Sequence, residues 1–227
     1  MTQRPKTVPM TSPAHDSDKP AATKPKRRSR AMIEQQILAA AEDVFAQFGF
    51  QGAAIDGIAE RAGISKQNML YYFPSKEVLY QRVLQNIVDL WLDKMTLLEQ
   101  AGDEPRTMMA NYIRGKIELS QEHPNGSKVF ANEIINGADR LKEYLRDRLL
   151  PQLEADVVLI RQWIAEGKIN DIDPYHLFFM IWASTQTYAD FSTQIEMVLG
   201  KPALQQQDYD KASEFLIELV LKGTGMT

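Results

Sequence analysis

From Ser29 to near its end, this chain spaces its large apolar residues as a helix does and nowhere alternates them as a strand would. Ile33, Ile37, Ala41, Val44, Phe45 and Phe48 form one stripe, and Gly49 stands where that helix is expected to stop. Ile55, Ile58, Ala59 and Ala62 form a second, shorter face, and Met69, Leu70 and Phe73 a third. A long helix follows through Val78, Leu79, Val83, Ile87, Leu90, Trp91, Met95 and Leu98, and Pro105 opens another. A turn at Pro124, Asn125 and Gly126 leads into the apolar residues of 129–135, and an amphipathic segment spans 139–165, ending near Gly167. Asp173 and Pro174 cap a helix that is apolar all round from Leu177 to Trp182 and so needs cover on more than one side. That helix is expected to run to about 198, and a last one spans about 206–222. The predicted fold is all-α.

The punctuation within residues 58–77 adds function to that pattern. Gly63 makes a tight turn between two short helices, Ser65 caps the second, and Ser75 starts a third. Two short helices joined through a glycine outline a helix-turn-helix, whose second helix enters the major groove of DNA. On its first turn stand Ser65, Lys66, Gln67 and Asn68. Lysine donates to guanine, and glutamine or asparagine pairs with adenine in a bidentate fashion. Tyr71, Tyr72 and Lys76 follow at positions suited to phosphates, as is the N-terminus of the helix at Ser75.

Charge is distributed unevenly. Residues 1–30 hold eight Lys/Arg against two Asp, a balance of +6, which leaves −10 for the rest of a chain whose net charge is −4. With five prolines and few large apolar groups, residues 1–28 read as a disordered basic arm able to meet a polyanion. The domains expected are therefore this arm at 1–28, a helix-turn-helix unit at 29–76, and a larger helical domain at 77–227.

Several functions are excluded. The chain has no cysteine, so neither disulfides nor thiolate metal sites are available, which fits a reducing cytoplasm. No apolar run is long enough to span a bilayer, and the basic N-terminus lacks the apolar segment of a secretory signal. His15, His123 and His176 lack metal-ligand spacing, and no phosphate loop, nucleophile elbow or paired-carboxylate motif is present. Neither an enzyme nor a cofactor or metal protein is expected.

Gly49–Phe50, Ile58–Ala59, Ala62 to Ser65, Tyr71 to Glu77 and Leu79 resemble the DNA-binding domain of TetR-family regulators over roughly residues 30–80. That resemblance implies a homodimer on a pseudo-palindromic operator in double-stranded DNA, and a small-molecule effector held in the C-terminal domain. One departure is visible. Ala53 and Ala54 replace the Thr or Ser that the family places before its second helix, which removes a cap worth about 1 kcal/mol.

Residues 68–73 and 172–191 are similar to the branch of the family that regulates pyrimidine utilisation and senses uracil or thymine. A planar pyrimidine needs aromatic faces and amide or carboxylate partners. Trp182 and Gln186 share one helix face, and Trp91 lies on the helix linking the domains. Asn132, Glu133 and Tyr188 add polar groups. The alternative is that both tryptophans are core and Gln186 is a satisfied buried amide. A multidrug-type regulator with a wide apolar pocket, which the ten methionines would suit, and a helical protein-interaction module are the competing functions.

Overall fold

A computed structural model describes residues 1–2, 29–95 and 104–226. Most of the expected basic arm, and the expected end of the long helix at Leu98, lie outside the described residues. The described residues form helices and no strand.

Helix α1 (Arg30–Gly52) starts under the Ser29 hydroxyl, which accepts from the Met32 amide. Gly49 breaks its axis at φ 65°, ψ 177°, a conformation open to glycine, and one further turn follows. Helix α2 (Ile55–Arg61) begins without a side-chain cap at Ala54, as its sequence implies. Gly63, at φ 64°, makes the turn into α3 (Lys66–Tyr72), where the Ser65 hydroxyl accepts from the Asn68 amide at 3.1 Å. Ile37, Phe45, Ile58, Ala59, Ala62 and Met69 close the core between these three helices.

Helix α4 (Lys76–Met95) leads out of this unit, with Val78 N–H donating to Ser75 Oγ at 3.2 Å. Helix α5 (Pro105–Glu122) is the axis of the C-terminal half and packs against α9 (Pro174–Asp190) and α11 (Gln206–Gly223). Ser120 Oγ donates to the Thr185 carbonyl at 2.9 Å, tying α5 to α9. Helix α6 (Pro124–Ile135) begins at Pro124 itself, so the expected turn there is the first turn of a helix. Proline is preformed for that position, and Gly126 allows α6 to approach Glu42 and Ile87 to 3.2 Å from where a Cβ would stand. Helix α7 (Lys142–Tyr144) passes through a π-helical turn (Leu145–Leu149) into α8 (Leu150–Ala165).

The helix expected to continue past Asp190 instead breaks at Phe191, and α10 (Ser192–Leu199) follows as a separate element. Helix α9 buries Leu177, Phe178 and Ile181 but leaves Phe179 and Met180 exposed. On α11, Phe215 and Leu219 are likewise exposed and lie one turn apart. Among the described residues no helix is long and apolar enough to cross a membrane.

Candidate functional site

Helix α3 presents Lys66, Gln67 and Asn68 to solvent, and Tyr71 stands out at its far end. The Lys66 ammonium meets Asp56 at 3.0 Å in an exposed pair, a contact weak enough to yield to DNA. Tyr72 is half-buried, with its ring edge-on to Tyr71 at 5.3 Å and Arg30 above it at 5.8 Å.

Lys76 is placed differently from its expected phosphate contact. Its Nζ donates to the carbonyls of Phe50 at 2.8 Å, Ala53 at 3.1 Å and Gln51 at 3.4 Å, and lies 4.6 Å from the Phe50 ring centre. An ammonium has three protons, and these carbonyls at the end of α1 take all of them. Lys76 is therefore a cap that fastens α4 to α1.

A cavity of about 80 Å³ opens in the C-terminal half, where five elements meet. Val88 and Trp91 come from α4, Lys116 from α5, Phe130 from α6, Leu145 and Leu149 from the π-helical turn, and Trp182 and Gln186 from α9. Insertions of this helical type recur at functional sites. The Trp91 and Phe130 rings meet edge to face at 4.3 Å. Trp182 Nε1 donates to Tyr112 Oη at 2.6 Å, which satisfies the indole N–H and leaves its ring for the cavity wall. Burial and the resulting loss of solvation raise the Tyr112 hydroxyl well above its ordinary pKa, so it stays a neutral partner.

Two polar side chains reach this apolar space without hydrogen-bond partners among the described residues: Gln186 and Lys116. The Lys116 Nζ lies 4.9 Å from the Trp91 ring centre, and burial alone lowers its pKa to about 8. Lys116 carries no motif, and only its phase gives it away. It shares the buried stripe of Met109, Tyr112, Ile113 and Ser120 on α5, where a lysine is out of place.

Asn132 and Glu133 do not face this cavity. They line a separate depression against α1, with Phe50, Tyr80 and Arg140. Phe130 points to the cavity, and Asn132, two residues on, is turned roughly 200° from it. Glu133 is buried, accepts the Arg140 backbone N–H at 3.0 Å, and sits 3.7 Å from the Arg140 guanidinium. Tyr188 is also elsewhere, packed at 6.4 Å on Tyr209 of α11. These three residues belong to the structural frame around the cavity rather than to its lining.

Helix α6 connects the cavity to the DNA-reading unit. Near its start, Asn125 donates to Asp43 of α1 at 2.8 Å, and the Gly126 N–H bonds the half-buried Glu42 carboxylate. Desolvation, with Asp43 nearby, raises the pKa of Glu42 above the ordinary carboxylate value. Phe130 then lines the cavity, and Glu133, in the last turn of the helix, meets Arg140.

A helix-turn-helix unit docked on a larger helical domain defines a DNA-binding regulator. The sequence comparisons agree. The model of the bacterial regulatory proteins of the tetR family matches residues 37–83, and that of the YcdC-like protein C-terminal region matches residues 84–227. The chain belongs to the TetR family and is a DNA-binding transcriptional regulator. It is 42% identical to the HTH-type transcriptional regulator RutR of Escherichia coli over 199 residues, covering 87% of this chain and 93% of that one. It is 48% identical to the transcriptional activator FasR of Mycolicibacterium smegmatis over 101 residues, 44% of this chain and 46% of that one. The structure of the ketosteroid transcriptional regulator KstR2 of Mycobacterium tuberculosis shares the fold, with a TM-score of 0.70 at 21% identity, covering 88% of this chain and 96% of that one.

Proposed function

We propose that this protein is a cytoplasmic homodimeric regulator whose operator affinity is controlled by a pyrimidine base, uracil or thymine, bound in the cavity between Trp91 and Trp182, and that it governs genes of pyrimidine and nitrogen metabolism. The observation that carries the ligand class is the meeting of two ring faces with two unpartnered polar groups, Gln186 and Lys116, in one small apolar space. A flat ring with N–H and C=O edges answers all four. The similarity to RutR supports the same ligand. At about 80 Å³ the cavity is smaller than the roughly 150 Å³ engineered space that admits benzene. A bulky lipophilic effector of the multidrug type is therefore disfavoured.

The same shortage of space supplies a mechanism. A six-membered ring has to push the walls apart, and two of those walls are α4 and α6, both fastened to the DNA-reading unit. Displacing them changes the angle of α3 and the separation of the two readers in a dimer, so DNA affinity falls. By linkage, DNA lowers ligand affinity by the same factor. The exposed Phe179, Met180, Phe215 and Leu219 form the face on which α9 and α11 of a second copy close a four-helix interface. Two-fold symmetry then sets the half-sites about 34–36 Å apart on a pseudo-palindrome. Lys66, Gln67 and Asn68 are the base readers, positioned by Ser65, and Tyr71 and Tyr72 hold phosphates.

Thermal unfolding with uracil, thymine, cytosine and a purine tests this reading. A ligand at 100 times its Kd adds about 2.7 kcal/mol, and each kcal/mol moves the midpoint of a chain this size by about 2–4 °C. A rise of several degrees with uracil or thymine alone supports the pyrimidine sensor. No shift with any base removes it and leaves the DNA-binding assignment intact.

A further inference from the structure

Helix α5 turns Tyr112, Ile113 and Ser120 into the core, and Lys116 stands in that same stripe with only 4% of its surface exposed. Among the described residues its side chain has neither a carboxylate partner nor a carbonyl to donate to. Its one close companion is the Trp91 ring, 4.9 Å away. The other walls, formed by Phe130, Leu145, Leu149 and Trp182, carry no charge. A buried cation is normally paired, and a ring face offsets only part of the lost hydration. Here the cation points into a space that a ligand can fill.

We propose that Lys116 is the specificity-determining residue of the cavity, selecting flat six-membered rings that present an anionic or strongly accepting oxygen and rejecting cationic or oxygen-free rings. The inference rests on the reading of this cavity as the effector site. Gln186 offers an amino group that donates and a carbonyl oxygen that accepts and so reads an N–H/C=O edge, but an amide alone discriminates poorly between rings that carry such edges. The ammonium adds a donor with full charge, and a charge-assisted hydrogen bond is about twice as strong as a neutral one. It also makes selection depend on electron density at the ligand oxygen. A ring without an accepting oxygen loses this bond, and a benzylammonium ion is excluded by like charge.

Calorimetric titration of the full-length protein and of Lys116→Met tests the proposal, using uracil, benzoate and toluene. Methionine keeps most of the length of the side chain and removes the charge with its donors, and a melt no lower than that of the unsubstituted protein establishes that the variant folds. The expected result is at least a tenfold loss of uracil affinity in Lys116→Met, with toluene bound more tightly than by the unsubstituted protein. Equal uracil affinity in both proteins overturns the role of Lys116 while leaving the sensor reading in place. Loss of toluene together with uracil also overturns it, because the variant has then lost the cavity rather than the charge. Should uracil fail to bind the unsubstituted protein, the pyrimidine reading fails separately and benzoate decides. Benzoate binding that needs Lys116 upholds the proposal, whereas no binding, or equal binding, overturns it.

Discussion

The Arg140 guanidinium donates to the Glu77 carboxylate at 2.7 Å, joining the segment after α6 to the first turn of α4. It also stacks on Phe50 at 4.2 Å from the ring centre and faces the buried Glu133. One side chain thus touches the end of α1, the start of α4 and the end of α6. A displacement of α4 or α6 would strain this contact.

Arg140→Ala is expected to cost about 1–3 kcal/mol of stability, because it leaves the Glu133 carboxylate buried with weaker partners. More telling is the coupling. In the unsubstituted protein, uracil affinity should differ between the DNA-free and DNA-bound forms by about 5–150-fold, the usual range for an allosteric pair. In Arg140→Ala this ratio should move towards one while uracil affinity of the free protein holds. Titrating uracil with and without operator duplex measures both.

Lys116→Met is expected to stabilise the protein, and pH sets by how much. Folded Lys116 releases its proton near pH 8, whereas an unfolded lysine holds it to about 10.5. Between those values the unfolded chain binds more protons, so rising pH favours the folded state. The destabilising charge is therefore fully present below pH 8 and relieved as pH climbs to 10.5. A shift of this size corresponds to about 3 kcal/mol. Denaturant unfolding of both proteins at pH 7 and pH 10 should show the gap narrowing at the higher pH.

Lys76→Ala should lower stability by about 1–2 kcal/mol, since three carbonyls at the end of α1 lose their charged donor. The slope of log affinity against log salt for DNA should stay unchanged, because no phosphate contact is lost. A slope reduced by about one would return Lys76 to the phosphate backbone.

Gln67→Ala should cost about 1–3 kcal/mol on the operator and almost nothing on random duplex. Gel-shift titrations against both duplexes decide it, and equal losses would remove Gln67 from base reading.

Phe215→Glu on the exposed face of α11 should dissociate the dimer without unfolding the protomer, as the side chain is already solvent-exposed in one copy. Sedimentation at micromolar concentration reads the change in mass, and helical circular dichroism confirms the fold. A dimer that persists would place the interface elsewhere.

The frame of this protein was written in local signals. Ser65 caps α3, Gly63 turns before it, Asp173 accepts from the His176 amide at the head of α9, and Pro105, Pro124 and Pro174 each open a helix. Caps and turns involve residues within four positions of one another, so the chain order states them directly. Apolar spacing states the buried faces in the same way, and motif resemblance carried the family with them. The break at Phe191 escaped that reading because apolar spacing continues across it.

The cavity and the clamp were decided by packing. Trp182 and Gln186 were legible because they sit one turn apart on one helix. Lys116, Phe130 and the π-helical turn joined them only when four further elements closed around the space. Lys76 looked like a surface cation able to meet phosphates and Arg140 carried no signal of its own, because the carbonyls and carboxylates that hold them lie 23 or more residues away or across a helix junction. A lysine or arginine takes its role from whatever surrounds its charged end, and a flexible side chain leaves that choice open until the helices have docked. Sequence determined which segments are helical and where the DNA-binding unit lies; the tertiary structure decided which charges are spent holding the elements together and which one is left facing a cavity.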